Sequence, residues 1–237
     1  MFSLRTFVLA STAATALVTS GCAKDPSKEA PAAKVSDPVP EAAPEAKPEE
    51  KPAEPAPAAS PTAAAEPALE GIALSGTVSA VGSKVTGSHA LTFKEWKGAL
   101  LLKDGKPDGG KLTVIIQAAS VDETSDNMMK EKLVGHLKSP DFFDVEKFPT
   151  ASFVSSDITA APGPNGATHK VKGKLTLRGV TKDVEFDAAI ALAGKDLTGK
   201  TEFSINRKDF GIVYTGKADD LIRDGVVLKI DAKATLP

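Results

Sequence analysis

"VTKDVEFDAAIALAG", residues 180–194, decides the fold. Val180, Val184, Phe186, Ala188, Ile190 and Leu192 fall on one side of the period-two alternation, and Thr181, Asp183, Glu185 and Asp187 on the other. Successive strand side chains point to opposite faces, so the run reads as one half-buried strand of about 13 residues. Such a strand needs partners on both edges and an apolar layer over one face.

The partners are nearby. "KVKGKLTL" alternates Val171, Gly173, Leu175 and Leu177 with Lys172, Lys174 and Thr176. "KLTVIIQAAS" carries Leu112, Val114, Ile116 and Ala118, and "VVLKIDAKA" carries Val226, Leu228, Ile230 and Ala232. "TASFVSSDI" and "GKTEFSINR" supply two more strands. The turns between them, "DGKPDGG", "APGPNG", "LRG" and "AGKDLTG", are short and rich in Gly or Pro, which selects antiparallel hairpins over parallel crossovers. "SDNMMKEKLVGHLKSP" breaks the pattern. Met129, Leu133 and Leu137 at i, i+4 and i+8, with Asp126 as N-cap and Pro140 as stop, predict one helix over about 127–137. A further helical turn is expected at 91–96.

Seven or eight long antiparallel strands with one helix between them predict an all-β, closed up-and-down barrel of about eight strands. A sandwich is the alternative. A barrel of that size just holds one slender ligand, and its inward faces here are aliphatic and Phe, so any cavity is dry and apolar. A core filled by its own side chains satisfies the same periodicity.

Outside residues 71–237 the composition changes. Arg5 precedes an apolar run, Phe7 to Val18, ending in "LVTSGC". That describes an export signal and is too short for a membrane span, which needs about 20 apolar residues. Cys22, the only cysteine, follows the small Ser20-Gly21 pair and resembles the acylated cysteine of a bacterial lipobox, with Thr19 where Leu is usual. Residues 1–21 are therefore expected as a signal peptide, Cys22 as the lipidation site, and Ala23 after it suggests the outer membrane. Residues 22–70 hold 11 of the 17 prolines, no aromatic residue and a net charge of −5, and read as a disordered tether. As a flexible coil it spans roughly 40 Å, enough to lift a domain off a membrane.

Several chemistries lack their residues. Residues 71–237 carry a net charge of +2 with no basic tract, so nucleic-acid binding is not expected. His89, His136 and His169 are 47 and 33 residues apart, without metal-ligand spacing, and no metal site is expected. "DGKPDGGK" fails as a calcium loop because Lys106 and Ile115 stand where carboxylates are needed. No catalytic residue and no cofactor is expected. Asp141 and Asp144 flank Phe142 and Phe143 within "GHLKSPDFFDVEKFP", residues 135–149. Burying the rings is favourable by about 1.5–3 kcal/mol each while burying an unpaired carboxylate costs several. The expected geometry turns the rings in and the acids out, with at least one ring lining or sealing the cavity.

Three blocks, "GHLKSPDFFDVEKFPTASF", "GKLTLRGVTKDVEF" and "FSINRKDFGIVYTGKADDLIRDGVVLKID", strongly resemble the YceI-like family of periplasmic polyisoprenoid-binding proteins. "SKVTGSHALTFKEWKG" matches a variant family pattern with a Gly-Ser-His before an aromatic turn. The resemblance covers nearly all of residues 71–237. It implies a lipocalin-like barrel with a polyprenyl lipid or quinone tail threaded through it, and homodimers. Where many relatives have an Arg-Asp pair before the His-Leu, this chain has Leu133-Val134-Gly135. The expected ligand-binding residues are Phe93, Trp96, Leu112, Val114, Ile116, Phe142, Phe143, Phe153, Leu175, Leu177, Val184, Phe186, Ile190, Phe203, Ile205 and Phe210. The function expected is that of an envelope lipoprotein on the periplasmic side, binding an isoprenoid for storage, transport or stress protection. A packed barrel that binds a partner protein through an exposed patch at Phe210, Ile212 and Tyr214 is the alternative. A lipid hydrolase using Asp141, His136 or Ser139 is a third.

Overall fold

The structure is a computed structural model that describes residues 24–38, 66–126 and 128–237. The expected export signal and Cys22 lie outside the described residues, as does the larger part of the expected tether. In chain order the strands are β1 (Lys34–Ser36), β2 (Ile72–Lys84), β3 (Gly87–Phe93), β4 (Trp96–Lys103), β5 (Lys106–Gln117), β6 (Val121–Glu123), β7 (Thr150–Ala160) and β8 (His169–Leu177). They continue with β9 (Val180–Ala193), β10 (Asp196–Asn206), β11 (Gly216–Lys217), β12 (Asp220–Leu221) and β13 (Gly225–Thr235), and the single α-helix among the described residues, α1, covers Lys130–Lys138.

Eight strands close into an antiparallel barrel in the order β2, β4, β5, β7, β8, β9, β10, β13 and back to β2. Strand β2 is shared. Its first residues, Ile72–Leu74, pair with β4, and its second half, from Val78, pairs with β3, which in turn pairs with β6. The turns have the chemistry that hairpins demand. Asp104-Gly105 and Arg178-Gly179 both have positive φ, the backbone of a two-residue type I′ turn. The hairpin loop is thus shorter than "DGKPDGG" suggested, and Pro107 to Gly110 belong to β5. A bulge in β7 between Ser155 and Asp157 is closed by Ser155, whose Oγ accepts the Leu112 N–H at 2.7 Å.

Three local expectations are corrected. The helix starts at Lys130 after Met129, not behind an Asp126 cap, and Met129 is exposed while Leu133 and Leu137 pack inward. Residues 91–96 are not helical: Leu91–Phe93 end β3 and Trp96 opens β4, because β2 and β6 hydrogen-bond to both edges of β3. Residues 24–38, read as tether from their composition, pack on the barrel. The β9–β10 ladder runs only over Asp196–Lys200 against Ala189–Ala193. Beyond it, Ser204 of β10 pairs with Ala32, and β1 pairs with Glu185, Val184 and Asp183 of β9. The N-terminal strand thus fills the seam where β9 and β10 part, and Ala33 and Val35 pack against the main core. Unpaired strand edges are costly, and here two of them supply the binding energy that composition did not foretell.

Candidate functional site

The inward positions of the barrel strands converge on a cavity of about 240 Å³. Its wall is nearly all aliphatic and aromatic. It extends from Gly82, Ile222 and Arg223 at one end to Ala188, Leu197 and Ala232 toward the other. Leu197 and Ile205 both line it, eight positions apart on β10, roughly 26 Å along the strand. The space is therefore long and slender, and with hardly any polar partner in its wall it excludes water.

Fifteen of the expected ligand-binding residues line this cavity: Phe93, Trp96, Leu112, Val114, Ile116, Phe142, Phe143, Phe153, Leu175, Leu177, Val184, Phe186, Ile190, Phe203 and Ile205. Phe210 does not. It is 0% exposed, in a 3-10 turn at Arg207–Phe210, packed into the core cluster beside the cavity. The strand ends at Asn206, and the backbone turn that follows carries Phe210 away from the cavity wall. Sequence reasoning passed over Val78, Ala80 and Leu91, which line the wall from β2 and β3. The signal for Val78 and Ala80 was the weak alternation of small residues in "TVSAVG".

Aromatic rings shape the interior. Phe153, Phe186 and Phe203 form a row, with centroids 5.4 Å apart for the first pair and 4.3 Å for the second, which is stacked at 9°. Gly173 of β8 makes room for it. A Cβ there would lie 2.6 Å from the Phe153 ring and 2.4 Å from the Val154 carbonyl oxygen.

One end is capped by α1, the 139–149 loop and the 207–224 segment. Leu137 of α1 packs on Ala80, Leu91 and Val121. Phe143 meets Phe93 edge-on at 6.0 Å, inside the barrel. Phe142 lies between His136 at 4.9 Å and Tyr214 at 5.6 Å. Both rings line the cavity, Phe143 against Phe93 and Phe142 against the His136 and Tyr214 rings of the cap. Arg207 orders the other half of the cap. Its buried guanidinium donates to the carbonyls of Ile212 at 2.6 Å, Arg223 at 3.0 Å and Ile222 at 3.2 Å, and meets Asp224 at 3.3 Å. Burial pushes its pKa down, partly countered by Asp224. Arg178 joins the halves, donating to the Gly211 carbonyl and, at 2.6 Å, to that of Pro140.

The acids do not all point outward. Asp141 is exposed and pairs with His136 at 2.9 Å, but Asp144 is buried. Asp144 takes positive φ, and its carbonyl accepts from the Lys147 and Phe148 N–H groups, so the turn that half-buries Phe148 carries Asp144 inward with it. The expected exposed patch is also corrected: Phe210 and Ile212 are buried, and Tyr214 packs on His136. Asp141, His136 and Ser139 do not line the cavity, and Ser139 Oγ is engaged with the His136 carbonyl at 2.8 Å. Among the described residues no group of three His, Cys, Asp or Glu side chains is placed to hold a metal ion. Among them, too, no helix is long and apolar enough to cross a membrane.

The YceI-like domain family matches residues 70–234. Among curated relatives, a UPF0312 protein of Pseudomonas fluorescens strain SBW25 is 36% identical over 137 residues, covering 55% of this chain and 67% of that protein. One of Pseudomonas putida strain W619 is 38% identical, over 53% of this chain and 64% of the relative. The chain thus spans about two thirds of the length of these relatives. Among solved structures, Burkholderia cenocepacia BcnA superposes with a TM-score of 0.58 at 27% identity, over 67% of this chain and 96% of BcnA. A polyisoprenoid binding domain from Saccharophagus degradans gives 0.51 at 16% identity, over 68% and 94%, a likeness of fold. The chain belongs to the YceI-like family.

Proposed function

We propose that this YceI-like protein binds one long amphiphilic isoprenoid, a polyprenyl lipid or a quinone, along the axis of its barrel. The observation that carries the reading is the slender apolar cavity, lined by strands on every side and by Phe93, Phe142 and Phe143 at its capped end. Each buried methylene of a ligand is worth about 0.8 kcal/mol, so a chain of several isoprene units offsets the entropy lost on binding. The S. degradans domain of the same fold, a polyisoprenoid binding domain, supports the ligand class. The nearly all-apolar wall supports binding as the role.

The setting we infer is the periplasmic face of the envelope. The signal-like N-terminus and Cys22 support an acylated anchor, and a bound lipid supports storage, delivery or protection. Organic extraction of the purified protein followed by mass spectrometry tests the reading. One equivalent of a prenyl lipid per chain is expected. Extracts empty of prenyl lipid from protein taken directly out of its native membrane fraction would overturn it. A packed interaction module, the rival reading, has no use for a cavity of about 240 Å³.

A further inference from the structure

The contacts of residues 24–38 change what the N-terminus does. Lys24 stands two residues after Cys22, so its Cα lies at most about 7 Å from that of Cys22. Lys24 is itself held on the barrel: its carbonyl accepts from Arg223 Nη1 at 3.0 Å, and Asp25 sits 3.8 Å from Arg223 Nε. Ser27 packs against Gly225 so closely that a Cβ there would meet its Oγ at 2.2 Å. The chain then enters the β9–β10 seam. The Ser204 N–H donates to Pro31 O at 2.8 Å, Ala33 N–H to Ser204 O at 2.9 Å, and Lys34 meets Glu185 at 2.9 Å. Lys182 pairs with Asp37 at the far end of the segment. A coil of roughly 40 Å between anchor and barrel is thereby replaced by a link of about 7 Å.

The barrel end where this link lands carries three exposed aliphatic side chains among charged ones such as Lys217 and Asp219. Val213 is 62% exposed, Leu221 49% and Val85 36%. The Val85 N–H donates to Leu221 O at 3.1 Å, and the Arg223 N–H to Ser83 O at 2.9 Å, so Arg223, which holds Lys24, lies between the two exposed side chains and the N-terminus. Gly82, Ile222 and Arg223 beside them line the end of the cavity.

We propose that the barrel end bearing Val85, Val213 and Leu221 docks on the lipid bilayer, held there by the N-terminal strand that leads from the acylated Cys22. Three aliphatic side chains do not hold a protein on a membrane by themselves. Linked this closely to an anchor, their contact is intramolecular, at an effective concentration on the order of mM, and weak insertion suffices. The docked face puts the capped end of the cavity against the bilayer, so a prenyl chain that passes between the cap segments enters from lipid without crossing water. The proposal rests on the anchored reading above and is independent of which isoprenoid is bound.

The test uses the mature acylated chain in phosphatidylethanolamine–phosphatidylglycerol vesicles carrying a quencher on the acyl chains. An environment-sensitive dye is placed at Leu221→Cys, or at Leu101→Cys, exposed at the other end of the barrel. Several-fold stronger quenching at 221 than at 101 is expected. A third chain, Leu221→Cys with Val35→Asp to expel the N-terminal strand, is expected to lose that excess. Equal quenching at both sites would overturn the proposal, as would a vesicle-independent, concentration-dependent shift at 221, which marks contact between copies. Intact mass separates the two readings. An unacylated Cys22 sinks the anchor and the docking together, whereas an acylated chain with 221 unquenched sinks the docking alone.

Discussion

Gly173 and Arg207 show how single residues set the interior. Gly173 is inward-facing, and its missing side chain is the space into which Phe153 leans. Gly173→Val is expected to cost about 1–3 kcal/mol by overpacking and to lower the amount of co-purifying lipid, read by thermal melting and by extraction. Arg207 is a buried cation whose charge gathers backbone carbonyls, from Ile212, Ile222 and Arg223. Arg207→Met leaves those acceptors without their donor in a nearly dry place. A loss of about 3–5 kcal/mol is expected, which lowers the melting temperature of a domain this size by roughly 10 °C. Neither effect was legible from residue type. Gly173 appeared as one more position in an alternating strand, and Arg207 as an ordinary cation at a strand end.

Among the elements, the barrel strands were readable because one face of each is buried and the other is wet, which writes the period into the sequence. The Arg178-Gly179 turn marked its strand boundaries, whereas the Asp104-Gly105 turn was read too long and hid the start of β5. The helix start was misplaced because local capping signals lost to the packing of Leu133 and Leu137. The N-terminal strand was invisible for a different reason: Lys34–Ser36 is three residues long and its ladder partners lie some 150 positions away. An ion pair marks its attachment. Lys34 and then Lys170 hold the Glu185 carboxyl down to about 2, against the opposing effect of burial. A lowered carboxyl pKa contributes stability above the unfolded value near 4.5 and loses it as pH falls through about 2. In Lys34→Met the Glu185 titration is expected to move up toward 4.5, stopping short because Lys170 remains, as followed by carboxyl carbon NMR across pH 1.5–6.

For the whole molecule, a ligand that binds only the folded barrel stabilises it by mass action. Delipidated protein is expected to melt lower than protein purified with its lipid. Adding a prenyl alcohol at 100 times its Kd should restore about 2.7 kcal/mol, or roughly 5–10 °C. Unchanged melting with saturating lipid would count against an interior site. Period-two alternation and turn chemistry, both local in the chain, were enough to determine an antiparallel barrel with an apolar inside and most of the cavity wall. What only the tertiary structure decided was the course of the chain wherever it depends on distant partners. It turned Phe210 into the core, buried Asp144 and brought both Phe142 and Phe143 to the cavity wall. It also brought residues 24–38 out of a proline-rich, polar stretch to close the seam between β9 and β10. The physical reason is one of range. A strand's own pattern records which face it buries, whereas an unfilled seam between two other strands is recorded in neither, and appears only when the sheet has closed.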